Sequence, residues 1–154
     1  MDQKILEEFL VKAKINTYAS SGEGGEKVLE DGSKELTYEK GNFKYRDRYF
    51  GYNPFIGEEI VWKDGKIIWA MNYYGRITSD SPTAKEIYSF LRKALRQASE
   101  IEILRGPKSF YKENFKYINR TEGNLWNFFG TEKIFYINDE VYELIYHGGF
   151  IQEK

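Results

Sequence analysis

The sequence predicts an α+β fold: a curved, mostly antiparallel sheet of about six to eight strands built from hairpins, with an N-terminal helix and a central helix packed on it. Two segments repeat their apolar residues at helical spacing. Nearly everything between and after them alternates with a period of two and is punctuated by turn signals. The 154 residues fit one domain, 1–154, with enough interior for a real core.

Residues 3–15 carry Ile5, Leu6, Phe9, Leu10 and Ala13 on one stripe, which predicts the first helix. Ser20 to Lys34, with Gly22, Gly24, Gly25 and Gly32 among charges, reads as a mobile loop. Its glycines do not follow a strand and open a helix, so they do not make a phosphate loop. Leu36–Lys40 and Phe43–Phe50 flank Gly41-Asn42. Phe55–Lys63 and Lys66–Tyr74 flank Asp64-Gly65, the strongest hairpin signal in the chain. The second helix starts with the capping-box pair Thr83 and Glu86 behind Pro82. Its stripe is Ala84, Ile87, Tyr88, Leu91, Ala94, Leu95 and Ala98. Its other face carries Lys85, Arg92, Lys93 and Arg96, a charge run of the kind usually found on a solvated face. After the Arg105-Gly106-Pro107 turn, strands are expected at 115–118, 125–129, 133–137 and 141–147, separated by Gly130 and Asn138-Asp139.

Composition excludes several functions. The 23 basic and 24 acidic residues leave a net charge of -1, which argues against direct nucleic-acid binding. With no Cys and a single His, thiolate chemistry and zinc–thiolate sites are excluded, and no cofactor or metal is implied. No segment has the length and apolarity of a membrane span, and the first residues lack the pattern of a secretory signal, so the expected location is cytoplasmic. The distinctive number is 18% aromatic residues, 13 of them Tyr.

Hairpin register turns that number into a candidate site. With Asp64-Gly65 as a two-residue turn, Trp62 faces Ile67, Ile60 faces Trp69, Glu58 faces Met71 and Ile56 faces Tyr73. Seven of these eight are apolar or aromatic, so this is the core side, and Glu58 is the exception. In the first hairpin Phe43, Tyr45, Asp47 and Tyr49 share a face with Leu36 and Tyr38, which turns Asp47 inward. Two inward carboxylates need partners. Either they accept structural bonds from tyrosines, amides or an Arg such as Arg105, or they line a tyrosine-walled pocket. Glu143 and His147 share one face of the last strand about 13 Å apart, too far for a direct pair. The inner face of that strand is undetermined, and His147 is equally a strand-end cap of Gly148-Gly149.

The candidate ligand-binding set is therefore Tyr45, Asp47, Tyr49, Glu58, Tyr73, Arg105, Glu143 and His147. Carboxylates beside tyrosines suit a small polar, cationic or polyhydroxylated ligand. A hydrolase or lyase is the second reading, with Glu58 as acid or base, Asp47 as its partner and His147 or Tyr73 as proton donor. The third is a protein partner or homodimer, using Phe50, Tyr52, Phe55, Tyr74 and Phe90 off the core stripe.

The strings Tyr45-Arg46-Asp47-Arg48-Tyr49-Phe50-Gly51, Phe55-Ile56-Gly57-Glu58-Glu59, Trp69-Ala70-Met71-Asn72-Tyr73-Tyr74-Gly75, Arg105-Gly106-Pro107, Tyr142-Glu143-Leu144 and Tyr146-His147-Gly148-Gly149 together resemble an uncharacterised prokaryotic domain family of unknown function. The resemblance runs from Phe9 to about Ile151. Members stand alone or behind an N-terminal helix-turn-helix in predicted transcriptional regulators, which implies a domain that senses or binds something and transfers no catalytic role. The roughly thirty residues before the first strand are too few for a complete helix-turn-helix.

Overall fold

The computed structural model describes residues 3–17, 25–98 and 102–153. Helix α1 spans Gln3–Asn16 and helix α2 spans Ala84–Leu95. The strands are β1 (Lys27–Val28), β2 (Lys34–Lys40), β3 (Phe43–Gly51), β4 (Phe55–Lys63), β5 (Lys66–Ile77), β6 (Ser109–Lys112), β7 (Phe115–Asn124), β8 (Asn127–Tyr136) and β9 (Asp139–Phe150). They form one open antiparallel sheet in the order β1-β2-β3-β4-β5-β9-β8-β7-β6. Two meanders thus meet at β5 and β9, and α2 lies in the connection from β5 to the far edge. The expected α+β architecture, with both helices and the curved antiparallel sheet, is what the chain adopts.

Local chemistry accounts for the elements. Thr83 and Glu86 make the complete capping box, and Glu86's carboxylate accepts from both the Thr83 backbone amide at 2.9 Å and its hydroxyl at 2.6 Å. Lys40 pairs with Phe43, so Gly41-Asn42 is the turn, with Gly41 at φ +61. Of the glycine-rich segment Ser20–Lys34, residues 20–24 lie outside the described residues, and Lys27–Val28 within it forms the short edge strand β1. Gly130 does not end a strand: β8 runs through it, because the missing side chain makes room for Tyr146, whose hydroxyl would lie 2.3 Å from a Cβ there.

Both helices cover the same sheet face. Phe9 of α1 stacks on Phe43 at 5.0 Å, and Phe90 of α2 stacks on Phe115 at 4.9 Å. Phe90 is therefore core, not surface, and Phe55 likewise turns inward against Tyr73, Tyr88 and Tyr142. Phe50, Tyr52 and Tyr74 are exposed as expected. No helix among the described residues is long and apolar enough to cross a membrane.

The register contains the main correction. Trp62 pairs with Ile67, as the turn dictates, but Val61 pairs with Trp69. Ile68 is the extra residue of a β-bulge, and every later pair shifts by one: Glu59 opposite Met71, Glu58 opposite Asn72, Gly57 opposite Tyr73. A one-residue slip exchanges the faces of β4. Glu59 points inward at 3% exposure, and Glu58 points outward to pair with Arg46 at 2.8 Å. The expectation that Glu58 is an inner carboxylate is overturned by that bulge.

Candidate functional site

The inner face of the sheet carries two neighbouring rows. One runs Leu36, Asp47, Glu59, Met71, Gly148, Phe128; the next runs Tyr49, Gly57, Tyr73, Tyr146, Gly130. Asp47 and Glu59 are direct cross-strand partners. Tyr73 leans across Gly57, where an added Cβ would stand 2.5 Å from its hydroxyl, and donates to Asp47 Oδ1 at 2.5 Å. No described residue donates to the other Asp47 oxygen.

Around these acids lies a buried polar network. Lys14, at the end of α1, sets its Nζ 2.8 Å from Glu59 Oε2 and donates to the Leu104 carbonyl at 2.9 Å. Arg105 is 7% exposed and grips Glu132 with Nε at 3.1 Å and Nη2 at 3.0 Å, while its Nη1 stands 3.8 Å from Glu59. Glu132 is wholly buried and also accepts from Tyr117 at 2.5 Å and Tyr142 at 3.0 Å. Asn119 Nδ2 donates to the Gly106 carbonyl at 2.9 Å, which fixes the loop that carries Arg105.

Three carboxylates thus face two cations in the protein interior. Burial pushes Asp47 up to about 7; Glu59's charge adds to the rise, and the Tyr73 hydrogen bond, Arg105 and Lys14 oppose it. Burial pushes Lys14 down, against the pull of Glu59. Burial also raises the hydroxyls of Tyr45 and Tyr73 well above their usual range, and the neighbouring carboxylates raise them further. Arg105 stays charged: burial opposes its charge, but Glu132, Tyr142 and Glu59 together more than offset it. Asp47 therefore holds a proton far above the range of an ordinary carboxyl and releases it around neutral pH, and that proton balances the charges of the network.

Asp47 also lines a cavity of about 40 Å³, room for roughly three waters or the head of a small ligand. Asp47, Tyr73 and Arg105 form its buried floor. Tyr49, Gly51, Tyr52, Phe55 and Tyr88 wall it, and the half-buried Lys34 and Arg92 complete it. Helix α2 contributes Tyr88 and Arg92 one turn apart; the Tyr88 hydroxyl donates to the Tyr52 carbonyl at 2.5 Å.

Of the sequence candidates, Asp47, Tyr49, Tyr73 and Arg105 meet at this cavity, and Tyr45 is buried beside it. Glu58, Glu143 and His147 lie on the opposite face of the sheet. Glu143 pairs there with Arg76 at 2.7 Å, and His147 sits between Asn72 and Phe129. That placement leaves two-carboxylate hydrolysis with one acid at the cavity, since Glu59 is sealed beneath it. Lys14, Glu59 and Glu132 belong to this buried network, and the hairpin register does not find them. Lys14 continues the Leu6–Leu10 spacing of the α1 stripe, and that spacing is the signal that marks it. Among the described residues no group of three or more His, Asp or Glu side chains is placed to hold a metal.

No curated protein and no solved structure matches the chain. A family model described as a domain of unknown function, DUF5680, matches residues 47–151, from Asp47 itself to the end of β9, and so takes in Glu59, Tyr73, Arg92, Arg105 and Glu132 but not Lys14 or Lys34. The chain belongs to this DUF5680 family of domains of unknown function.

Proposed function

We propose that the protein is a small-molecule-binding, sensor-like module whose ligand enters the tyrosine-walled cavity on the inner sheet face. The observation that carries this reading is Asp47: a buried carboxyl with one oxygen held by Tyr73 and the other without a donor among the described residues, at the floor of an aromatic cavity. Such an acid costs stability in the empty protein and gains a partner when a polar ligand arrives. Where such a domain stands behind a helix-turn-helix, as the sequence resemblance implies, occupancy of this cavity is the input it would report. The test is a thermal-shift screen of a metabolite library against wild type, Tyr73→Phe and Asp47→Asn. A ligand at a hundred times its Kd raises the wild-type melting temperature by roughly 5–10 °C, and both variants lose most of that shift. Shifts that are equal in all three proteins remove the basis for the reading.

A second reading rests on the other sheet face. Phe50, Ile56, Tyr74 and Ile145 are all exposed and lie side by side across β3, β4, β5 and β9. A row of this kind suits a protein partner or a second copy of the chain. Sedimentation velocity over a concentration series is expected to show self-association that Ile56→Glu abolishes. A single monomeric species at every concentration, with or without the substitution, counts against a homodimer.

A further inference from the structure

The cavity's charge and its aromatic faces narrow the ligand class beyond the binding role proposed above, on which this step rests. Four ionisable side chains other than tyrosine line it: Lys34, Arg92, Arg105 and Asp47. Three are cations. Arg105 is committed to Glu132, and Lys34 stands 3.7 Å from Glu26. Arg92 makes no ion pair with any described residue.

An aromatic box with an acid at its base would ordinarily favour a cation, through the negative faces of the rings. Here two of the five lining rings, Tyr73 and Tyr49, already carry a cation, and three of the four charged lining groups are themselves cations. The Arg105 guanidinium lies 5.5 Å over the Tyr73 ring, and Lys34 Nζ lies 5.8 Å over the Tyr49 ring. The one acid, Asp47, is bound to Tyr73 and surrounded by Glu59, Lys14, Arg105 and the Tyr45 and Tyr73 hydroxyls. Three cationic side chains against one acid make the lining positive toward whatever enters.

We propose that the cavity takes a small organic carboxylate, its acid group gripped by the Arg92 guanidinium and its apolar body laid among Tyr52, Phe55 and Tyr88. The guanidinium fork matches a carboxylate in two parallel bonds, which a lysine or an amide does not. The aromatic walls favour a carbon skeleton over inorganic phosphate, which offers them nothing to cover.

Three probes with one ring and three charges test this: benzoate, benzamide and benzylamine, titrated into the ¹⁵N-labelled protein up to tens of millimolar, with inorganic phosphate as a fourth. Benzoate is expected to move the amide resonances of Gly51, Tyr52, Phe55, Tyr73 and Tyr88 at concentrations at least about tenfold below those needed for benzamide or benzylamine. Arg92→Gln is expected to weaken benzoate about tenfold, the loss of one charge-assisted contact, and to leave benzamide unchanged. Arg92 is half-buried on α2, and the variant is expected to keep the wild-type spectrum elsewhere. Benzylamine binding as tightly as benzoate, phosphate binding more tightly, or benzoate binding indifferent to Arg92→Gln overturns the carboxylate class and leaves the cavity as a binding site. Silence of these resonances to all four probes, while the metabolite screen still produces a shift sensitive to Tyr73→Phe, also overturns the carboxylate class alone. Silence to the probes and to the screen together overturns both proposals.

Discussion

Arg105→Ala is expected to lower the stability of the fold by about 3–5 kcal/mol, measured by urea unfolding near neutral pH. Arg105 supplies two hydrogen bonds to Glu132, a charge 3.8 Å from Glu59 and a cation over Tyr73. Its loss strands the fully buried Glu132 with only two tyrosine hydroxyls and leaves Lys14 alone to face both Glu59 and Asp47. An uncompensated carboxylate in the interior costs far more than the pair's net worth, and that asymmetry sets the size of the effect. Arg105→Lys keeps the charge and loses the fork, so it falls between wild type and Ala. The double variant Arg105→Met with Glu132→Met separates the two contributions. It removes both charges at once and is expected to be less damaging than Arg105→Ala alone. A loss under about 1 kcal/mol for Arg105→Ala would mean that water reaches Glu132 and that the network is not sealed.

How far this network is legible in the sequence depends on where alternation holds. In β3 it holds throughout: Phe43, Tyr45, Asp47 and Tyr49 face inward, and alternation alone marks Asp47 as a buried acid. In β4 it fails for a local reason. Ile60-Val61-Trp62 and Ile67-Ile68-Trp69 are apolar on both faces, so nothing in them marks Ile68 as the bulged residue. Counting outward from Asp64-Gly65 is right for two pairs, Lys63 with Lys66 and Trp62 with Ile67, and then one residue out. With two glutamates in succession, the error exchanges Glu58 for Glu59. In β8 the obstacle is Gly130, which has the look of punctuation. Cutting the strand there hides the alternation of Phe128, Gly130, Glu132 and Ile134, which marks Glu132 as a third inward acid once the strand is continuous. The cavity itself is half legible. Alternation and turn chemistry point to Tyr49, Tyr73, Arg105 and Asp47, but Tyr88 and Arg92 come from a helix whose angle to the sheet is a tertiary fact, and no spacing along the chain announces it.

Asp47→Asn is expected to flatten the pH dependence of stability and to make the protein more stable than wild type in mild alkali. Asp47 holds its proton up to about 7 in the fold, against an ordinary 3.8. Below 3.8 the group is protonated in both states and its burial is tolerated in full. Between those values the folded protein keeps a proton that the unfolded chain has released, so stability falls as pH rises. Above about 7 the ionised carboxylate sits in the core at its full cost, up to roughly 4 kcal/mol relative to acid. Asparagine keeps the acceptor for the Tyr73 hydroxyl and never ionises. Between pH 5 and pH 8, wild type should therefore lose roughly 2–3 kcal/mol more than the Asn variant in urea unfolding. Parallel curves for the two proteins would show that Asp47 ionises freely and that the cavity floor is wet. The sign matters for function as well as for folding. A structural acid would be expected to sit where its charge is favourable, like Glu132 under Arg105. Asp47 sits where its charge is not, beside Glu59 and open on one oxygen to an aromatic cavity. A fold that tolerates this cost at one residue, and sets burial and Glu59 against Tyr73, Arg105 and Lys14 so that the proton leaves near neutral pH, has kept a side chain that can donate or accept according to what arrives.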